Sequence, residues 1–170
     1  MNLQDLNTTP AAQLRPRLAA CCDVPSWVDR VLAGRPYADA DALTEVADQA
    51  ARALSDDEVA LALAAHPRIG DRTTGNTTEA AWSRKEQSGV GDDPEVRAAL
   101  AAGNRDYEHR FNRVFLICAT GLSADEMLTA LHRRLTNDPS TEASVVREEL
   151  RKIALLRLAK LITADREVPA

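Results

Sequence analysis

With 170 residues, 28% of them charged and only 4% aromatic, the chain can bury one core without disulfide staples, and its alanine and leucine content favours helices packed on helices over a β-sandwich. A net charge of -5 without a long lysine or arginine run argues against a nucleic-acid surface, which needs a concentrated basic face. Wholly apolar runs such as Val114 to Ala119 are far short of a membrane span. Met1-Asn2-Leu3-Gln4-Asp5 has neither a basic n-region nor an apolar h-region, and Cys21, Cys22 and Cys118 make a poor disulfide framework, so a cytoplasmic protein with packing cysteines is expected.

Thr9-Pro10 offers an N-cap and first-turn proline to a helix carrying Leu14 and Leu18 up to the Cys21 region. A second helix begins near Pro25-Ser26, turns Trp27, Val31 and Leu32 inward and breaks at Gly34 and Pro36. Asp39 to Leu54 is a third, with Leu43, Val46, Ala47 and Ala50 on one stripe. Ser55-Asp56-Asp57-Glu58 reads as the capping box of a fourth, Val59 to Ala65, which stops at His66-Pro67 because the residue before proline is pushed out of the helical region.

From Asp71 to Thr78 the chain is polar, with Gly75-Asn76 as a turn signal. Helix returns near Glu79 and runs through Trp82 to about Gly89, placing Ser83, Glu86 and Gln87 at i, i+3 and i+4 on one face. Asp93-Pro94 opens a long helix through Leu100, Tyr107 and Phe111. The run Phe115-Leu116-Ile117-Cys118-Ala119 fits helix and strand equally by periodicity, and Gly121 ends it. Ser123-Ala124-Asp125-Glu126 is a second capping box, for a helix through Met127, Leu128, Leu131 and Leu135. The last helix, Thr141 to about Ala164, carries Val146, Leu150, Ile153 and Leu161 on a stripe that also holds Arg157, so a cation faces the core side. With no repeat, long linker or low-complexity tract, the pattern predicts an all-α fold: one single-domain compact multi-helix bundle of about eight helices over residues 1–170.

Singly, the polar residues have ordinary roles: His66 as a helix cap, Glu86 solvated on a helix, Arg157 snorkelling from a terminal helix. On these residues alone a non-catalytic helical binding or dimerisation module competes with an acid/base site. A zinc hydrolase built on His66 and Glu86 lacks His-x-x-x-His or Cys-x-x-Cys spacing, and His109 and His132 fall in surface patterns, so no metal is expected.

Taken in order, His66-Pro67-Arg68-Ile69-Gly70, Ser83-x-x-Glu86-Gln87-Ser88-Gly89, Asn104-x-x-Tyr107-x-x-x-Phe111, Phe115-Leu116-Ile117-Cys118-Ala119, Arg134-Leu135-Thr136-Asn137-Asp138 and Lys152-Ile153-Ala154-x-Leu156-Arg157-Leu158 resemble the OHCU decarboxylase (2-oxo-4-hydroxy-4-carboxy-5-ureidoimidazoline decarboxylase) family. Cys22-x-x-x-x-Trp27 and Arg35-Pro36-Tyr37 fit as well, and the resemblance spans nearly the whole chain. It implies an all-helical homodimer, without metal or organic cofactor, that releases carbon dioxide from OHCU to give (S)-allantoin in the last step of urate oxidation. It also implies His66 and Glu86 as catalytic residues. Pro67, the block Ser83, Arg84, Lys85, Glu86 and Gln87, the run Phe115, Leu116, Ile117, Cys118 and Ala119, and Arg157 would form the substrate site. Three departures stand out. Asn112 replaces a usual glycine, though asparagine tolerates left-handed backbone; Arg113-Val114 replaces a common aromatic-proline pair; and Thr120 stands where many relatives carry arginine, leaving less positive charge.

Overall fold

Short polar side chains set most helix starts in the computed structural model, which describes residues 1–64, 66–71, 77–91 and 93–163. The helices are α1 (Leu3–Thr8), α2 (Ala11–Ala19), α3 (Pro25–Ala33), α4 (Ala40–Arg52), α5 (Asp56–Ala64), α6 (Thr78–Glu86), α7 (Pro94–Phe111), α8 (Ala124–Arg134) and α9 (Pro139–Thr163), with a 3-10 turn at Ser88–Val90. No strand occurs among the described residues, as the all-α expectation requires, and none of their helices is long and apolar enough to cross a membrane.

Both predicted capping boxes form: Glu58 N donates to Ser55 Oγ and Ser55 N to Glu58, and Ser123 pairs with Glu126 in the same reciprocal way. A third box, Asn2 with Asp5, starts α1, a helix the apolar pattern did not announce because only Leu6 of its residues is buried. The Gly75-Asn76 turn and the expected helix ends at Ala65 and Ala164 lie outside the described residues.

The chain divides into two compact units, residues 1–62 with 151–170 and residues 63–150. In the first, α3 packs on α2 and α4, and Leu14, Leu18, Trp27, Val31, Leu43 and Ala47 are buried. The buried Trp27 indole meets its one polar need by donating to Ala47 O at 3.0 Å. Arg35 donates to the carbonyls of Leu6, Thr9 and Leu32, tying α1 to the end of α3. Asp48 receives Arg52 and Arg151, which hold its carboxyl below the usual carboxylate range. Cys21 and Cys22 are buried, as their expected packing role requires. Burial, reinforced by Asp23 and opposed by Arg157, pushes the Cys22 thiol up to about 12.

The second unit is organised around a buried charge. Ile69, Val90, Leu100, Tyr107, Phe111, Phe115, Ile117, Met127 and Leu131 form its core, and α7 lies close on α8 because Gly103 leaves room for Leu131, whose Cδ2 would sit 2.5 Å from an added Cβ. Into this core Arg134 and Glu142 bring a guanidinium and a carboxylate that are 3% and 1% exposed. Arg134 Nη2 donates to Glu142 Oε1 at 2.6 Å, Arg134 Nη1 to Leu116 O at 2.6 Å, and Asn137 Nδ2 to Glu142 Oε2 at 2.8 Å. Tyr107 donates its hydroxyl to Glu142; burial and that bond raise its phenol well above the usual range. The Arg134 guanidinium also covers the Phe115 ring at 4.6 Å, a cation–π contact.

A buried ion pair contributes little over an apolar isostere, but removing one member strands the other. Glu142→Ala is therefore expected to lower the unfolding free energy by about 3–5 kcal/mol, read from the urea midpoint. The double variant Arg134→Met/Glu142→Leu should recover most of the loss, whereas an Ala variant as stable as the parent would contradict this account.

Candidate active site

His66 follows the end of α5, its N–H donating to Leu63 O at 3.0 Å. Pro67 then directs the chain away from helix, and Gly70 takes φ +89°, which suits a residue without a Cβ. Three side chains hold this turn: Gly70 N donates to Gln87 Oε1 at 3.0 Å, Arg97 Nη2 to Gly70 O at 2.7 Å, and Asn104 Nδ2 to Ile69 O at 2.8 Å. Beyond them Arg68 forms a two-pronged ion pair with Glu108, which keeps the Glu108 carboxyl below its ordinary range. His66 and Pro67 are half-buried, and His66 Nε2 is shielded from solvent.

On α6 the i, i+3 spacing separates inside from outside. Ser83 and Glu86 are 5% and 8% exposed, while Arg84 and Lys85 between them face solvent. The helix stops at Glu86, short of the expected end near Gly89, with Gln87 as its C-cap. The 3-10 turn that follows approaches another backbone, since a Cβ on Gly89 would lie 1.9 Å from Leu122 O; only glycine fits there.

The ambiguous run resolves as neither helix nor strand. Phe115, Leu116, Ile117 and Ala119 are buried and Cys118 is half-buried, with Leu116 O taken by Arg134 and Cys118 N donating to Glu149 Oε2 at 2.7 Å. The turn leading into it begins at Asn112, with φ 52° and ψ 37°, whose N–H closes α7 onto Glu108 O at 2.8 Å. Asparagine thus supplies the left-handed residue that glycine would.

Ile69, Phe115, Ile117 and Ala119 share one core, joined by Val90 just after the block 83–89, and Gln87 of that block is bonded to Gly70. Arg157 belongs to the other unit, where it is 5% exposed and donates to Ala20 O at 3.4 Å; its stripe had aimed it inward. A groove of about 280 Å³ between Arg15, Pro16, Ala19, Asp23, Pro25 and Val28 holds none of the expected site residues. His109 and His132 are exposed on α7 and α8, and no cluster of three metal-ligating side chains occurs among the described residues. Sequence reasoning did not single out Arg97, Glu142 or Glu149. The available signal was the seven-residue interval between the two glutamates, which sets them on one face of α9.

The fold is all-helical among the described residues, and the end of α6 that carries the buried Ser83 and Glu86 is joined to the turn after His66 by the bond from Gly70 N to Gln87 Oε1. The family model described as OHCU decarboxylase matches residues 7–159. A Haloferax volcanii 2-oxo-4-hydroxy-4-carboxy-5-ureidoimidazoline decarboxylase is 29% identical over 143 residues, covering 82% of this chain and 83% of that protein. A uric acid degradation bifunctional protein of Bacillus sp. (strain TB-90) is 26% identical over 95% of this chain and 32% of its own; the chain spans about a third of the length of the bifunctional relatives it matches. The crystal structure of an OHCU decarboxylase in the presence of (S)-allantoin superposes with a TM-score of 0.72 at 27% identity, over 85% of this chain and 96% of that one. This chain belongs to the OHCU decarboxylase family.

Because Asn112 is exposed and left-handed, Asn112→Val should cost about 1–2 kcal/mol while Asn112→Gly leaves stability nearly unchanged. Equal losses in thermal unfolding would show that the asparagine side chain, and not its backbone angle, matters.

Proposed function

We propose that this chain is a cofactor-independent carboxy-lyase that converts OHCU to (S)-allantoin, with His66 as general acid and Glu86 as the carboxylate that orients and tunes it. The observation that carries the reading is the family match across residues 7–159 in a chain whose Ser83 and Glu86 are buried and whose histidine turn is bonded to Gln87.

The substrate supplies its own electron sink. As the bond to the carboxylate breaks, its electron pair passes through the adjoining carbon to the ring nitrogen, which takes a proton. The resulting enol loses its hydroxyl proton to become the carbonyl and gains one at the neighbouring carbon, the stereocentre of allantoin. What the protein must add is alignment of the scissile bond with the π-system and proton delivery from one face. A carboxylate near the imidazole favours its protonated form, which suits His66 to that delivery. Ser83 and the NH2 end of Gln87 pair with the ureido group, and a site built on such bonds rejects analogues that lack them. Pro67 and residues 115–119 line the substrate, Arg84 and Lys85 serve from their exposed positions, and Arg157 anchors an anionic oxygen through its planar fork. The chain works as one domain over residues 1–170, as a homodimer in the cytoplasm, without a metal, nucleic-acid or membrane partner.

Freshly generated OHCU, made from urate by the preceding enzymes, gives the test. Added protein should raise the circular dichroism of one allantoin enantiomer faster than the blank. His66→Ala and Glu86→Gln should each lower that rate by about 100- to 10,000-fold. A His66→Ala variant that retained the rate and the single enantiomer would refute the acid role, and racemic product from the unaltered chain would favour a non-catalytic helical module.

A further inference from the structure

The run 115–119 is buried but not helical, so its backbone groups need partners from elsewhere. Two of them find side chains on neighbouring helices: Leu116 O accepts from Arg134 Nη1, and Cys118 N donates to Glu149 Oε2. These groups are two residues apart, the interval at which an extended chain presents backbone to one side. Both supports trace to one face of α9. Glu142 fixes Arg134, Glu149 lies two turns further on, and the buried Val146 and Leu150 occupy the same region of the helix.

The two supports differ in what they hold. Arg134 and Glu142 are sealed in the core and serve the fold as a whole. Glu149 is half-buried, and its bond to Cys118 N, at 2.7 Å, is of the charge-assisted kind that a carboxylate makes with an amide. It fixes the peptide plane between Ile117 and Cys118, in the middle of the run that faces the substrate in the decarboxylase reading.

We propose that Glu149 is a positioning residue of the active site: it acts through the Cys118 amide to hold residues 115–119 in register with the substrate. The proposal rests on the decarboxylase reading above. Nothing in it requires the carboxylate to touch substrate or to carry a proton.

The test compares Glu149→Ala with Glu149→Gln, whose amide oxygen can accept the same N–H. Two quantities are read in the full-length protein: kcat/KM and allantoin enantiomeric excess with OHCU, and hydrogen exchange of the Cys118 amide by NMR. Glu149→Ala should speed exchange, lower enantiomeric excess and reduce kcat/KM by about 10- to 100-fold, whereas Glu149→Gln stays within about threefold of the parent on each measure. Faster exchange with unchanged kinetics would overturn the proposal, as would a Gln variant as impaired as Ala, because the negative charge and not the contact would then matter. If the unaltered protein fails to decarboxylate OHCU, the decarboxylase reading falls by itself. The anchor is then decided by exchange alone, and is overturned if Glu149→Ala leaves the Cys118 amide as protected as before.

Discussion

A guanidinium in an apolar core must satisfy five N–H donors or destabilise everything around it, and Arg134 meets that demand with Glu142, Leu116 O and the faces of Phe115 and Tyr107. These partners come from three separate stretches of chain, around residues 107, 115–116 and 142. The side chain at the end of α8 therefore fixes the start of α9, the position of α7 and the course of the non-helical run at the same time. An apolar residue of similar size would fill the volume but would not select among these neighbours. Directional bonds to a carboxylate and a carbonyl do, and they do so where an error is most costly, because an unmade bond in low dielectric is not replaced by water.

The same logic recurs wherever this fold leaves helix. Helices satisfy their own backbone, whereas the turn 66–70 and the run 115–119 cannot. Gln87, Arg97 and Asn104 serve the first; Arg134 and Glu149 serve the second. The proposed decarboxylase chemistry draws on these irregular pieces and on the adjoining end of α6. Alanine-rich helices supply a frame in which small side chains allow close approach, as Gly103 does against Leu131, and long polar side chains reach across that frame to hold the backbone that bears the imidazole. In the proposed reading these anchors hold the backbone on which the substrate-facing groups sit.

Much of this was legible in particular residues. Ser55 with Glu58 and Ser123 with Glu126 announced helix starts because capping is a contact between residues three apart. That Ser83 and Glu86 share a face followed from helical spacing, and the inward aim of Arg157 from its stripe; that this face is buried while Arg84 and Lys85 are exposed did not. Asn112 could be expected to replace glycine because its own side chain lowers the cost of a left-handed backbone. The first helix escaped notice because a single buried leucine gives no periodicity. Residues 115–119 stayed ambiguous because a short, wholly apolar run has no polar face to reveal its period.

The chain by itself determined the helical class, most helix boundaries, the residues that turn inward and the ordered motifs of the OHCU decarboxylase family, all of which depend on neighbours within about one or two helical turns. Only tertiary structure decided that Gln87 would spend its oxygen on Gly70, that Gly89 would lie against Leu122, and that Glu142 and Glu149 would support a run some thirty residues before them. Those partners are set by hydrogen bonds between distant segments. A hydrogen bond has no sequence signature until packing has brought its donor and acceptor within reach.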